Sequence, residues 1–143
     1  MAELQTKETP SGPAYSTKQI TLATFLGGPL AGCWLLSLNY RLFEQPRNAF
    51  FSIIAGILGT IAVLAISLVL PPWLPKIVLP VAYTLAVRGI ADPLQGSLLD
   101  EHARNGGRVG SWWIVVGIAV LCIAILFGLV FAAIWFFPNA LPA

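Results

Sequence analysis

The sequence predicts an all-α integral membrane fold: a helical bundle of four hydrophobic segments, three reading as spans and one ambiguous, plus a short amphipathic interfacial helix. Three observations carry that expectation. Of 143 residues, 57% are hydrophobic and 10% charged, whereas a soluble domain carries about 25% charged residues. Residues 20–38, 50–70 and 112–137 contain no Asp, Glu, Lys or Arg. Aromatic residues gather at the borders of these runs: Tyr40 and Phe43, Phe50 and Phe51, Trp73, Trp112 and Trp113, then Trp135, Phe136 and Phe137. That placement is expected of anchors at a membrane–water interface.

Residues 1–16 are rich in Thr, Ser, Pro, Lys and Glu. They carry too little apolar surface to offset the entropy of ordering, so a disordered polar tail is expected. No apolar core of a signal peptide precedes Ile20, and the first apolar run is expected to serve as its own insertion signal. Residues 17–143 then form one membrane domain, with helices over about 19–41, 49–70, 74–91 and 111–137. At about 1.5 Å per residue, the three uncharged runs reach roughly 28, 31 and 39 Å, against a hydrocarbon core of about 30 Å. Helix is required there because unsatisfied backbone groups are costly in lipid, and no strand alternation supports a barrel.

The fourth segment reads two ways. Residues 77–91 are apolar but contain Pro80 and Arg88, and an arginine deep in a bilayer costs at least ~2.5–3.5 kcal/mol. Hydropathy leans to a fourth span. Charge leans the other way: four spans place three Lys/Arg on one side and five on the other, three spans place six against two. The larger bias belongs to three spans with a cytoplasmic N-terminus.

Among the connections, Pro71, Pro72 and Pro75 end the second helix, because proline lacks the donor a continuing helix needs. Asp92-Pro93 with Gln95 reads as the start of a separate interfacial helix over about 93–105. Asn105-Gly106-Gly107 reads as its stop and Ser111 as the cap of the last helix.

Helices in lipid associate through small residues. Gly27, Gly28 and Gly32 line the first segment, Ser52, Gly56 and Thr60 the second, and Ala124, Gly128 and Ala132 the last. These are the expected helix-packing positions, within the chain first and toward a partner second. Pro29 after two glycines predicts a kink, and a broken helix at mid-membrane depth can line a substrate or ion site.

Candidate chemistry is sparse. His102 beside Asp100 and Glu101 is the one polar surface site the sequence suggests, and a solvated helix face is the plainer account of it. One histidine and two separated cysteines, Cys33 and Cys122, do not make a zinc set. No hydrolase, protease or nucleotide-binding motif is present, so neither catalytic residues, metal nor cofactor is expected. The net charge of +2 is too small and dispersed for a nucleic-acid footprint.

Two stretches together covering about a third of the chain, Tyr15-Ser16…Gln19-Ile20…Ala23-Thr24-Phe25-Leu26-Gly27-Gly28-Pro29-Leu30-Ala31-Gly32…Asn39-Tyr40 and Gln95…His102…Gly106-Gly107…Ser111-Trp112, resemble a group of small uncharacterised bacterial inner-membrane proteins. The resemblance implies a multi-pass location in the bacterial cytoplasmic membrane and marks Tyr15, Gln19 and Asn39 for testing. The sequence thus leads to two expectations. One is a non-enzymatic membrane protein of accessory or immunity type, whose partners are the lipid bilayer and a second copy or another membrane protein. The other is a small oligomeric permeation protein built around Gly27-Gly28-Pro29.

Overall fold

The computed structural model describes residues 9–138, and those residues form four helices and no sheet: α1 (Thr17–Leu42), α2 (Pro46–Val69), α3 (Val78–Arg104) and α4 (Trp112–Phe136). By length and composition α1, α2 and α4 are apolar enough to cross a membrane. α1 is the hub. It packs on each of the other three, α2 barely meets α3, and the backbone of α4 comes close to neither α2 nor α3 among the described residues.

The kink expected at Pro29 is a full reversal. Gly28 has φ 78° and ψ −177° inside an otherwise helical run, a conformation essentially restricted to glycine. The chain turns back on itself there. The Tyr15 N–H lies 2.8 Å from Asn39 Oδ1, although 24 residues of continuous helix would separate them by about 36 Å. Gly32 abuts Thr24 and Gly12 abuts Leu42, pairings that only an antiparallel hairpin produces. α1 is therefore two arms, 17–27 and 29–42, each reaching about 16–21 Å.

Small residues let the other helices close on this hairpin. A Cβ on Gly27 would stand 2.9 Å from Ala119 Cα and 3.0 Å from its carbonyl oxygen. One on Gly56 would stand 2.8 Å from Cys33 Cβ and 3.2 Å from Leu30 Cα, and one on Gly59 3.3 Å from Pro29 Cβ. Gly27, Gly28, Gly32, Gly56 and Thr60 are buried, with the Thr60 hydroxyl returned to the Gly56 carbonyl at 2.8 Å. The stripe expected on the last helix falls elsewhere. Ala124 and Gly128 are exposed and Ala132 half-exposed, while α4 buries Val115, Ala119 and Cys122. Spacing of four recurs on every face of so uniformly apolar a helix, and contact with the hairpin tip selects the face nearer its start. Ser52 is half-buried at the edge of the α2 contact.

Two further expectations need correction. Residues 78–104 form one helix through Pro93, where two helices meeting at Asp92 were expected. Proline at an exposed position costs one backbone bond, and the buried residues on either side, Ala91 and Gln95, keep the helix packed across it. The polar tail is also only partly a tail. Residues 1–8 lie outside the described residues, but Ala14 and Tyr15 are each 4% exposed. Ala14 pairs with the loop before α4: its N–H donates to the Arg108 carbonyl at 2.9 Å, and its carbonyl accepts from Gly110 N–H at 2.8 Å.

Placing any side chain at Gly28 forces an L-residue into a glycine-only backbone region, at a cost of about 1–3 kcal/mol. Gly28→Ala should lower the midpoint of thermal unfolding in detergent, and Gly27→Leu should lower it further by driving into the α4 backbone. Gly128→Ala, which meets nothing within 4 Å, should leave it unchanged or raised. Equal midpoints for all three would remove the hairpin as the organising element.

Candidate functional site

Both ends of the hairpin, the last turns of α3 and the first turn of α4 gather at one end of the bundle. Ser16 caps α1, its Oγ accepting from Gln19 N–H at 3.3 Å while Gln19 Oε1 accepts from Ser16 N–H at 2.9 Å. Reciprocal capping of this kind satisfies two backbone donors that a helix start leaves free. It also aims the Gln19 amide inward, where Nε2 donates to the Gly110 carbonyl at 2.6 Å.

Asn39 closes the hairpin. Its Oδ1 accepts from the Tyr15 N–H at 2.8 Å, and its Nδ2 donates to the Tyr15 carbonyl at 2.8 Å and to Gln95 Oε1 at 2.9 Å. Gln95 Nε2 in turn donates to the Leu36 carbonyl at 3.1 Å. Gln19, Asn39 and Gln95 have no exposed surface, so these three amides are a dry network rather than a wet surface patch. The Tyr15 ring packs on Gly110, where no Cβ fits. Burial pushes its phenol above the ordinary tyrosine range, which keeps the ring neutral.

His102 stands about two turns further out on α3. It is 4% exposed, so it does not belong to a solvated face. Its Nε2 lies 3.2 Å from the Arg108 carbonyl, and Phe43 meets its ring edge-on at a centroid distance of 6.0 Å. Gly107 accommodates the ring because a Cβ there would collide with it. The Arg108 carbonyl can only accept, so Nε2 donates in this contact, and the buried Nδ1 has no protein partner. Asp100 and Glu101 are exposed and do not bond to His102. Glu101 lines, with His102, Ser11, Phe43 and Gln45, a cavity of about 340 Å³. Glu44, at its rim, holds the left-handed φ of 57°. The two carboxylates, Glu44 and Glu101, offer acceptors at this cavity, suited to a ligand that donates hydrogen bonds. Among the described residues, no three His, Cys, Asp or Glu side chains cluster as a metal would require.

Of the residues suggested from sequence, the structure thus brings Glu101 and His102 to one cavity and leaves Asp100 outside it. Gln19, Asn39 and Gln95 form the built part of the site. One signal marks them: Gln19 and Asn39 are amides at the two borders of the first apolar run, and Gln95 follows the fourth. Residues 15–39 and 95–110, far apart in the chain, meet here. In comparisons with known proteins, no family model, no curated protein and no solved structure matches the chain.

Asn39→Leu removes three hydrogen bonds and strands the Tyr15 N–H and carbonyl, at about 1–3 kcal/mol for each buried group left unpaired. The expected outcome is a lower unfolding midpoint together with faster tryptic cleavage after Lys18, as residues before α1 detach. A variant with wild-type midpoint and cleavage rate would show that the amides do not hold the hairpin shut.

Proposed function

We propose that the chain is a multi-pass protein of a bacterial cytoplasmic membrane that works by helix contact with a second copy or another membrane protein, as an accessory or immunity-type component. The observation that supports it is the lopsided core. Beyond Thr60 no residue of α2 is buried, beyond Cys122 none of the described residues of α4, and before Thr84 none of α3. The hairpin reaches only part-way along its neighbours, so their outer halves expose Leu68 at 71% and Phe131 at 68% with no protein around them. In hydrocarbon such faces are soluble, yet helix against helix they are also free to pack.

In this reading α2, α3 and α4 cross and α1 dips in and returns. The reversal at Gly28 lies within protein, the condition under which irregular backbone is tolerated at membrane depth. Among the described residues, Lys18, Arg41, Arg47, Arg104 and Arg108 then lie toward the hairpin's open end and Lys76 toward the other, with Arg88 part-way along α3. Positive charge marks the cytoplasmic side, so the open end faces the cytoplasm and α4 runs outward. The competing demands of hydropathy and charge are both met, because one apolar segment enters without crossing.

A permeation role is the second reading, and one feature favours it: the hairpin tip brings a helix end and a helix start together among the other helices, as discontinuous helices do in transporters. Pro29→Ala would then alter solute flux in reconstituted liposomes, and a tight bilayer across varied ions and solutes would argue against it.

Alkaline phosphatase fused after Ala143 should be active, and inserted between Asn105 and Gly106 inactive; the reverse pattern overturns the orientation. A photo-cross-linking residue at Leu68 or Phe131 should trap a second copy or one membrane protein at native expression. Adducts to lipid alone would remove the association reading.

A further inference from the structure

A groove of about 540 Å³ runs between the first arm of α1 and α3. The arm enters from the open end, so Lys18 stands at the mouth and Leu22 and Phe25 line the groove progressively deeper. α3 runs the opposite way, with Asp92 at the mouth, Arg88 one turn in and Thr84 one turn beyond that. The groove is therefore charged at its mouth and apolar beneath.

Its charges do not cancel. Arg88 Nε lies 3.5 Å from Asp92 Oδ2, a single contact for a side chain with five N–H donors. Lys18 is exposed and makes no salt bridge among the described residues. Two cations against one carboxylate leave one net positive charge, at a depth where an arginine needs partners for its remaining donors. Thr84 adds a hydroxyl that is buried without a protein partner at the groove's inner end.

We propose that this groove seats one anionic phospholipid of the cytoplasmic leaflet, with its phosphodiester between Lys18 and Arg88 and an acyl chain along Leu22 and Phe25. The inference rests on the membrane reading above. Guanidinium donors match phosphate oxygens in charge and geometry, and basic pockets between helices on the cytoplasmic side hold anionic headgroups in this way. One phosphodiester balances the single net charge, whereas a choline headgroup would bring a further cation beside Lys18.

The test is native mass spectrometry of delipidated full-length protein in detergent, titrated with phosphatidylglycerol or phosphatidylcholine of identical chains. Wild type should retain phosphatidylglycerol preferentially. Lys18→Gln and Arg88→Gln should each lower that preference by about five-fold, the worth of one basic residue near a headgroup. Lys76→Gln, at the other end, should not. Leu22→Trp keeps every charge and fills the groove, so it should lower retention of both lipids. Equal retention of the two lipids by wild type overturns the proposal, as does a Lys76→Gln effect matching that of Lys18→Gln. Displacement of bound lipid by millimolar inorganic phosphate would also overturn it, by assigning the site to a free anion. Failure of the membrane reading would look different: the protein would be monodisperse in buffer free of detergent and lipid.

Discussion

One backbone reversal governs this molecule. At Gly28 the chain leaves helical geometry inside a run of apolar residues, and the amides and carbonyls freed by the break have no water to turn to if the surroundings are hydrocarbon. Such a break survives only under a cover of protein. The cover is supplied by close approach: Gly59 lies against Pro29, Gly56 against Leu30 and Cys33, and Gly27 against the backbone of Ala119. At Gly27 and Gly56 a methyl group would collide with the neighbouring helix, and at Gly59 it would crowd the Pro29 ring. The bundle is consequently organised around α1 and not by mutual packing of the outer helices.

If the surroundings are lipid, apolar arms have no hydrophobic reason to pair, so a reversed helix needs another force to keep its arms together. The buried amides supply it. Asn39 reads both backbone groups of Tyr15, and Gln95 and Gln19 extend the connection to α3 and to the loop before α4. Each amide nitrogen and oxygen has at least one partner, so one relative placement of the hairpin arms, α3 and the loop before α4 engages all of them at once. The polar network and the glycine contacts thus do different work. Packing fixes depth at the tip, and hydrogen bonding fixes register at the mouth.

Confining the core to the hairpin's depth has a consequence at each end. Toward the mouth the protein is charged, cross-linked by polar contacts and furnished with a cavity beside His102. Toward the far end it is three apolar helix halves with bare flanks. Association in the bilayer and a cytoplasmic mouth, the readings proposed above, take that division as their support. A bare helix half is free to pack, and a cluster of arginines is held on the side where it is synthesised.

The sequence by itself determined that the chain is helical, and where several helices begin or stop. Pro71 after Val69, Gly106 with φ 75° after Arg104, and the Ser111 side chain accepting from Trp113 N–H all act through local chemistry that neighbours in the chain supply. The tertiary structure alone decided how the first apolar run is used. A stretch of 19 uncharged residues has the same hydropathy whether it crosses or turns back, and the choice at Gly27-Gly28-Pro29 depends on Gly56, Gly59 and Ala119 far along the chain. The same holds for Gln95. Two residues after a proline it reads as a helix-start partner, yet Asn39 draws its amide into the interior and α3 continues through Pro93. Tyr15 belongs to a segment too polar to order itself, and becomes buried only because Asn39 and the loop at Arg108 and Gly110 present complementary groups. Periodicity and caps report what a segment prefers alone, whereas a buried polar group is placed by partners that only the folded chain brings within hydrogen-bonding distance.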